Sequence, residues 1–465
     1  MTDLTQRLPL ELLAGILERA SIPDVLSFKQ VNRAFRDVIL SSPLVQHKIE
    51  LYAAGLEYNA AAGICLADSR NALVRYRSNL DSLRPAEKRT LEIAYTGYRY
   101  HVKSAGGVFA IIEESVRLIT LGSASRGIPH REWEIPLPVT DIEDYCLYPG
   151  EDVIAFFEKQ AVDNTQIKIH LRSLSDGERH PAALCPTIYY PWRDRWMCGI
   201  YSTSMTSSRI ALLTSTRACG TRLLMIWDWK SAHLLFELAE EPYTLVEFID
   251  DHRLLVILDR TRDNASSLVL IDTEKVVVGA PMRTTFQLPP TFYPCAYLLM
   301  ERGMHEPSPA ELLAPFYQDP TQRIAALSQI ASRDFLVFRV GALLELLESH
   351  EGSEIGWDEW KYCVANPRID QDRLNILQAC VSGCRLICTV SMEPGKDACM
   401  KVFDLSIQGR ASYLSEQVNA GLGVRDMTLS DARAEVLASD LFDDIYSGHD
   451  SIIFTYVSVA LISCF

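Results

Sequence analysis

Hydrophobic and polar positions follow a helical rhythm at the start of the chain. The apolar residues there recur every three or four positions, which is typical of amphipathic helices. They are Leu8, Leu12, Ile16, Val25, Phe28, Val31, Phe35 and Ile39. Pro9 suits the first turn of a helix, and Pro23 marks a break before Asp24, which supplies an acid for the next helix. The pattern predicts two or three short helices.

The chain still has a helical pattern up to about residue 99. Alanines are frequent at 53–62, and Leu73, Tyr76, Leu80 and Leu83 form a second stripe at helical spacing. Pro85, followed by charged residues at 87–89, predicts an exposed connector. The segment 51–100 is therefore interpreted as a helical linker.

After Tyr100 the pattern changes to short apolar runs bounded by Gly, Asp, Asn, Ser or Arg. The runs are 108–112, 116–121, 153–157, 167–171, 210–213, 223–227, 254–258, 268–271 and 335–340. Many short strands at near-even spacing indicate an all-β sandwich, barrel or propeller. The remaining length exceeds one sandwich and suits a propeller, at about 40–45 residues per four-stranded blade.

A weak internal repeat supports the propeller. Three apolar strands end in an acid, at Asp228, Asp272 and Asp404, and a looser copy begins at Ile167. The first interval is 44 residues and the second is 132, three times as long. The triplet 226–228 resembles the WD-repeat signature. We predict a divergent WD-like propeller over 101–465, with seven blades favoured and six as the alternative.

Two segments of this region are irregular. The stretch 305–324 holds four prolines, which predict a loop across the propeller surface with Pro315, Phe316 and Tyr317 as a packed anchor. The last 15 residues carry no charge. They are shorter than the about 20 residues that span a membrane, so we expect final propeller strands, pairing with early strands to close the ring.

Composition narrows the function classes. The formal net charge of −15 argues against a nucleic-acid or anionic-membrane surface. The N-terminus lacks the pattern of a signal peptide, so the 12 cysteines are expected to be reduced, in a cytoplasmic or nuclear setting. The densest group is Cys380, Cys384, Cys388 and Cys399, which we interpret as buried strand cysteines rather than a zinc site. No metal or cofactor is predicted.

Chemistry-bearing motifs are not evident. The sequence has no phosphate-binding GxxxxGK loop, no Gly-x-Ser-x-Gly elbow and no His-Glu-x-x-His pair, so no catalytic residue is assigned.

Among the seven tryptophans, Trp227 is expected in the core. Exposed aromatics beside arginine make good interface anchors, so a second group is a weak candidate for target binding. This group is Trp192, Arg193, Arg195 and Trp196. Trp357 and Trp360 are further candidates, although all of these side chains could instead cover blade edges.

The N-terminal residues resemble a known family. Leu-Pro-x-Glu-Leu-Leu-x-x-Ile-Leu from Leu8, then Asp24-Val-Leu, Val31-Asn-Arg-x-Phe-Arg and Ser42-Pro-Leu are similar to an F-box. Asn32 stands where a cysteine is common, and Val45 where many F-boxes have tryptophan. A Pro-Phe-Tyr stretch followed by Pro-x-x-Arg-Ile also resembles fungal F-box proteins. The resemblance implies a substrate receptor that attaches to a Skp–cullin ubiquitin ligase.

The resemblance also implies which residues meet the adaptor. The candidates for core plus partner surface are Leu8, Pro9, Leu12, Ile16, Leu17, Val25, Leu26, Val31 and Phe35, and the sequence does not divide them. We expect an F-box helical domain at 1–50, a helical linker at 51–100 and a propeller that binds an unknown target protein. The alternatives are a propeller hydrolase with an accessory helical domain, and an F-box scaffold that acts without ubiquitin transfer.

Overall fold

The fold is described here from a computed structural model. The described residues are 9–82, 87–92, 102–120, 122–158, 166–191, 197–216, 222–241, 243–260, 265–277, 280–290, 292, 296–300, 311–329, 335–365, 375–391, 398–405, 423–428, 444–448, 451–455 and 459–464.

Helices are concentrated at the N-terminus. The α-helices are α1 (Leu10–Arg19), α2 (Ile22–Val31), α3 (Arg33–Ser41), α4 (Pro43–Ala53), α5 (Leu66–Ser82), α6 (Val340–Ser349) and α7 (Trp357–Trp360). Short 3-10 turns occupy Ala60–Ala62, Pro149–Glu151, Glu311–Leu313 and Lys361–Cys363. Within the described ranges, no helix is both long enough and apolar enough to cross a membrane. The predicted helical start is confirmed.

The rest of the described chain is mainly strands. The first half contains β1 (Leu56–Tyr58), β2 (Glu87–Glu92), β3 (Val102–Ala105), β4 (Val108–Ile112), β5 (Val116–Thr120), β6 (Arg131–Ile135), β7 (Ile142–Tyr148), β8 (Val153–Glu158), β9 (Gln166–Ser173), β10 (Thr187–Pro191), β11 (Met197–Met205), β12 (Arg209–Thr216), β13 (Arg222–Asp228), β14 (His233–Glu241) and β15 (Tyr243–Phe248). The second half contains β16 (Arg253–Arg260), β17 (Ala265–Val277), β18 (Ala280–Gln287), β19 (Ala296–Met300), β20 (Phe316–Gln318), β21 (Ile324–Gln329), β22 (Phe335–Arg339), β23 (Glu354–Ile355), β24 (Val364–Ala365), β25 (Asn375–Ser382), β26 (Arg385–Ser391), β27 (Ala398–Asp404), β28 (Gly423–Thr428), β29 (Asp444–Gly448), β30 (Ser451–Thr455) and β31 (Val459–Cys464).

These strands form successive antiparallel sheets of the kind that build a β-propeller. In chain order the sheets are β3–β6, β7–β10, β11–β14, β15–β18 with β23 added in parallel to β18, β19–β21–β22–β24, β25–β28, and β29–β30–β31–β2. A separate two-stranded sheet pairs β1 with β20. Helices followed by an all-β propeller-like fold therefore confirm the predicted fold class at this level.

The predicted number of blades is not supported. Five of these sheets have described side chains in every strand, and they run from β3 to β24. The two remaining four-stranded sheets are described mainly through their backbone pairing. Five blades therefore have described side chains in every strand, fewer than the seven favoured from the sequence or the six of the alternative, and the sheets β25–β28 and β2–β31–β30–β29 are described through backbone pairing.

The repeat interval overcounts the blades between Asp272 and Asp404. Only one four-stranded sheet, β19–β21–β22–β24, lies between the sheets that contain Asp272 and Asp404. An interval of three 44-residue units required two. The extra residues form β20, β23, α6 and α7, which are insertions around this sheet. Length divided by a fixed period therefore counts inserted residues as a blade.

The repeat itself has a local cause. Asp228, Asp272 and Asp404 lie on the third strands of their sheets, each directly opposite an arginine of the second strand, Arg209, Arg253 and Arg385. The carboxylate then organises the following turn: Asp228 Oδ1 accepts from Ser231 N at 2.9 Å, and Asp272 Oδ1 accepts from Glu274 N at 3.0 Å. Such Asx turns reverse the chain after the strand.

The C-terminal segment agrees with its prediction, whereas the segment 51–100 does not. The apolar C-terminal residues form β30 and β31, and β31 pairs with the early strand β2, as expected. The segment 51–100, however, is not purely helical. It contains α5 but also β1 and β2, and β2 covers the charged residues 87–89 expected in a connector. Pairing with distant strands overrides the local preference here.

The hydrophobic core consists of side chains from both faces of the sheets. Clusters of buried aliphatic and aromatic side chains lie between neighbouring sheets and include Trp227 as predicted. Cys380, Cys384 and Cys388 are buried on β25, β26 and their turn, which confirms them as buried strand cysteines. Burial raises the pKa of the Cys388 thiol. Cys399 lies on β27, where side chains are outside the described part.

Candidate functional site

An exposed apolar surface lies on the first three helices. On α1, Leu12 and Ile16 are four residues apart and therefore share a face with Pro9. All three are exposed, and Leu12 is exposed by 57%. Leu26 and Val31 of α2 are exposed as well. Several large apolar side chains exposed within 30 residues make this surface a candidate interaction site.

A compact core directly beneath this surface fixes its shape. The buried residues of the core are Leu13, Leu17, Val25, Val38, Ile39 and Val45. Partly buried Phe28 and Phe35 stack on one another, with ring centroids 5.2 Å apart. Since Leu13 and Leu17 form a stripe next to that of Leu12 and Ile16, α1 is apolar on two adjacent faces. Only the face with Leu13 and Leu17 packs inside the helical core.

Side-chain caps set the ends of the helices. Ser21 accepts from Asp24 N at the start of α2, and Ser42 accepts from Val45 N at the start of α4. Asn32 Oδ1 accepts from Phe35 N at 2.9 Å at the start of α3. Asn32, which departs from the family pattern, is therefore a good N-cap. Pro23 lies inside the first turn of α2, which begins at Ile22, and so it does not break the helix.

The structure divides the predicted adaptor-binding residues into three groups. Pro9, Leu12, Ile16, Leu26 and Val31 are exposed, whereas Leu17 and Val25 belong to the core and Phe35 is partly buried. Leu8 lies outside the described residues. Sequence reasoning missed Leu10 and Leu40, which are also exposed. Helical spacing identifies apolar stripes, but it does not show which stripe a neighbouring helix covers.

Behind this surface, α4 and α5 meet at a buried histidine. His47 lies 2.8 Å from Ser69, measured from Nε2 to Oγ, and its ring packs edge-on against Tyr58. Burial, with help from Arg70 and Arg77, lowers the pKa of His47 from 6.5 to about 4. The imidazole is therefore neutral at physiological pH.

A second group of polar side chains lies on the inner strands of the propeller. Lys103 forms an ion pair with Asp144 at 2.5 Å, and Thr203 donates to the same carboxylate at 2.9 Å. Ser204 donates to Glu247 at 2.9 Å. Lys103, Thr203, Ser204 and Glu247 line a cavity of about 10 Å³, room for a single water molecule. These groups satisfy one another across neighbouring blades, and the described lining of this cavity contains no histidine.

His170 on β9 makes side-chain hydrogen bonds through both of its ring nitrogens. Its Nε2 lies 2.9 Å from Glu158 and its Nδ1 lies 3.1 Å from Thr187. Thr187 is the direct cross-strand partner of His170, and Lys168 pairs with the same Glu158. We interpret this group as a polar ladder across β8, β9 and β10. Within the described residues, no group of three or more metal-binding side chains occurs.

The predicted target-binding residues are not located. Trp192, Arg193, Arg195 and Trp196 lie outside the described residues. The other candidate tryptophans are placed: Trp360 is buried against Phe286 and Phe338, and Trp357 packs edge-on against Trp360. Trp360 is therefore a core residue between the sheets β15–β18 and β19–β24, whereas Trp357 is partly buried against it.

Comparison with known proteins identifies the helical N-terminal region. The F-box domain family matches residues 6–47. No curated protein matches the chain. Among solved structures, the β-propeller domain of Cps50 (Swd1) from Myceliophteria thermophila is similar at 9% identity, over 82% of this chain and 100% of that chain, with a TM-score of 0.44. An oligogalacturonate lyase in complex with manganese is similar at 11% identity, over 82% and 97%, with a TM-score of 0.44.

The propeller domain of a trilobed protease from Pyrococcus furiosus is also similar, at 9% identity over 68% of this chain and 78% of that chain, with a TM-score of 0.37. The chain thus carries an F-box domain at residues 6–47 followed by a β-propeller-like fold. The predicted F-box domain and propeller-like fold are therefore both confirmed.

Proposed function

We propose that this protein is the substrate-recognition subunit of a Skp–cullin–F-box ubiquitin ligase. Its F-box binds a Skp-type adaptor, and its propeller binds a target protein. The observation that carries the proposal is the exposed apolar surface on the matched F-box helices, formed by Pro9, Leu12, Ile16, Leu26 and Val31. The protein itself performs no chemistry in this proposal, and it works in the cytoplasm or nucleus.

The size of the surface suits a stable protein interface. Burying one large aliphatic side chain contributes roughly 1.5–3 kcal/mol. Leu12, Ile16 and Val31 are each at least half exposed, so about half of this contribution or more is still to be gained. The internal core already holds its own set of residues, which means that a partner can cover the surface without rearranging the helices.

The propeller is the natural place for target binding. Its connecting segments vary in length while the strands keep a constant frame, and binding residues are often carried by such loops. The Trp192–Trp196 segment, rich in tryptophan and arginine, is our candidate for a contact with the target. The proposal requires neither a nucleic acid nor a membrane as partner.

The first test is adaptor binding by the double variant Leu12→Asp and Ile16→Asp. Two buried charges at the interface should reduce co-purification with a Skp-type adaptor at least 100-fold, because unpaired buried charges are costly. The matched control is Leu184→Asp, at an exposed leucine of the propeller. Circular dichroism should show the same melting temperature for all three proteins. Equal adaptor capture by the double variant would overturn the proposal.

The same experiment addresses ubiquitin transfer. Wild-type protein should co-purify the cullin together with the adaptor, and it should support ubiquitin transfer in a reconstituted ligase. Retention of the adaptor with loss of the cullin would instead indicate a scaffold that uses the F-box without transfer. One pull-down with immunoblots for the adaptor and the cullin measures whether each is retained, and the reconstituted ligase measures transfer.

A further inference from the structure

The helical N-terminal part is joined to the propeller by a strand pair. β1 lies antiparallel to β20, with Leu56 opposite Gln318 and Tyr58 opposite Phe316. Two backbone hydrogen bonds extend the pair at its ends: Asp319 N donates to Gly55 O at 3.0 Å, and Asn59 N donates to Pro315 O at 3.1 Å. We refer to residues 54–62 and 311–322 together as the joint.

Asn59 is the side chain that fixes the joint. It is buried, and its Nδ2 donates to Leu312 O at 2.9 Å and Ala314 O at 2.8 Å, with Glu311 O at 3.3 Å. Its Oδ1 accepts from Ala61 N at 3.1 Å. One amide group therefore holds a turn of the propeller on one side and the segment after β1 on the other. An aspartate of the same size would place a carboxylate against three carbonyl oxygens.

Close backbone approaches leave the joint little room to move. A Cβ atom at Gly55, whose φ is +74°, would lie 2.8 Å from Cys384 Sγ. At Gly383, whose φ is +54°, a Cβ atom would lie 2.1 Å from Gln318 Oε1. The ring of Phe316 also packs edge-on against Tyr76 of α5, with centroids 5.7 Å apart. Packing at this density resists small rotations.

The joint contacts three separate sheets. Residues 311–322 connect β19 to β21, and Gly383 and Cys384 connect β25 to β26. Arg126, between β5 and β6, forms a buried ion pair with Glu311 at 3.2 Å. These connections follow first or third strands, so they lie at the same end of their antiparallel sheets. Residues 311–322 are thus held to three sheets of the propeller, and residues 54–62 of the helical part pair with this fixed segment and approach Cys384.

We propose that the joint is a rigid positioning element that sets the orientation of the F-box relative to the propeller. Asn59 is its main positioning residue. The inference rests on the proposed function, because a fixed orientation determines which lysines of a propeller-bound protein come near the site of ubiquitin transfer. A loosened joint should leave adaptor binding intact and spread transfer over more lysines.

The direct test measures the orientation itself. Spin labels on unnatural amino acids at the exposed positions 37 and 178 report the distance from α3 to the propeller by double electron–electron resonance. Wild-type protein should give one narrow distance distribution, and Asn59→Asp should broaden it at least twofold. The control is Asn71→Asp, which makes the same chemical change on the exposed face of α5 and should leave the width unchanged. A broad wild-type distribution, or an unchanged width in Asn59→Asp, would overturn the proposal.

A second variant keeps the test informative if Asn59→Asp unfolds. Gly383→Ala inserts a methyl group between the propeller and Gln318, so it should shift the mean distance. Gly63→Ala is the matched control because Gly63 also has a positive φ, +67°, but a Cβ atom there meets nothing within 4 Å. Both variants place an alanine at a positive φ. Only Gly383→Ala also pushes a methyl group against the joint. Equal distances in the two variants would contradict the proposal.

Ubiquitin transfer supplies the functional readout. In a reconstituted ligase the protein's own propeller lysines serve as acceptors, and mass spectrometry identifies the modified positions. Asn59→Asp should increase the number of modified lysines at unchanged adaptor affinity, whereas Asn71→Asp should not. Absence of transfer with wild-type protein would refute the proposed function. The spin-label distances would still test whether the joint fixes the orientation of the helices.

Discussion

Neighbouring residues of the same type have opposite roles in this protein. Leu12 is 57% exposed and Leu13 is 3% exposed, although both are leucines in the middle of one helix. The difference comes from α3, which packs against one face of α1 and leaves the other uncovered. Residue type therefore predicts that both positions prefer burial, and the neighbouring helices decide which one is buried within the chain.

His47 gives a pH dependence at the residue scale. Its pKa is lowered from 6.5 to about 4, so the unfolded chain binds a proton in the window between these values while the folded chain does not. The free energy of unfolding should therefore fall by about 2 kcal/mol between pH 7 and pH 5 from this group. Urea titrations at the two pH values measure the change.

The variant His47→Gln removes the titrating group and should flatten this part of the pH dependence. His233→Gln is the matched control, since it makes the same substitution at an exposed histidine. The interpretation fails if His47→Gln loses as much stability between pH 7 and pH 5 as the wild type.

At the scale of elements, polar residues at strand and helix ends carry much of the local information. The repeated aspartates organise the turns after third strands, and Ser21, Asn32 and Ser42 cap successive helices. Asp176-Gly177 forms a turn as its sequence predicts, with Gly177 at φ +76°. These signals are readable in the sequence because the hydrogen bonds join residues only two or three positions apart.

The cap of α3 yields a prediction about a departure from the family pattern. Asn32→Ala removes the acceptor for Phe35 N and should lower the free energy of unfolding by about 1 kcal/mol. Asn32→Asp keeps an acceptor and should retain most of that stability. Asn71→Ala on the exposed face of α5 is the control and should be neutral or slightly stabilising. Chemical denaturation followed by circular dichroism distinguishes the three, and equal losses for Asn32→Ala and Asn71→Ala would contradict the capping role.

At the scale of the whole molecule, the buried ion pair between Arg126 and Glu311 links distant parts of the chain. Both side chains are 2% exposed. Arg126→Met leaves a buried carboxylate without its cation and should cost about 3–5 kcal/mol of stability. Lys361→Met removes the cation of an exposed pair with Asp358 and should cost less than about 1 kcal/mol.

Urea denaturation of the two methionine variants measures this difference. Adding Glu311→Gln to Arg126→Met should recover part of the loss, because the uncompensated charge is then gone. A loss for Arg126→Met no larger than that for Lys361→Met would show that the buried pair contributes no more to stability than an exposed one.

The sequence by itself determined the classes of structure. Helical spacing identified the N-terminal module, short apolar runs identified the strands, and ten residue types in register identified the F-box. These features depend on neighbours within a few positions, so local patterns suffice. The sequence also anticipated the packed anchor, since Phe316 of the Pro-Phe-Tyr stretch is buried.

The tertiary structure alone decided how these pieces are assembled. It separated Leu12 and Ile16 from Leu17 and Val25, assigned fewer blades than the repeat interval suggested, and placed β1 beside β20 some 260 positions later. Each decision depends on which surfaces meet across the chain. Partners so far apart in sequence leave no periodic signal, because their contacts are set by packing and loop closure rather than by local backbone preference.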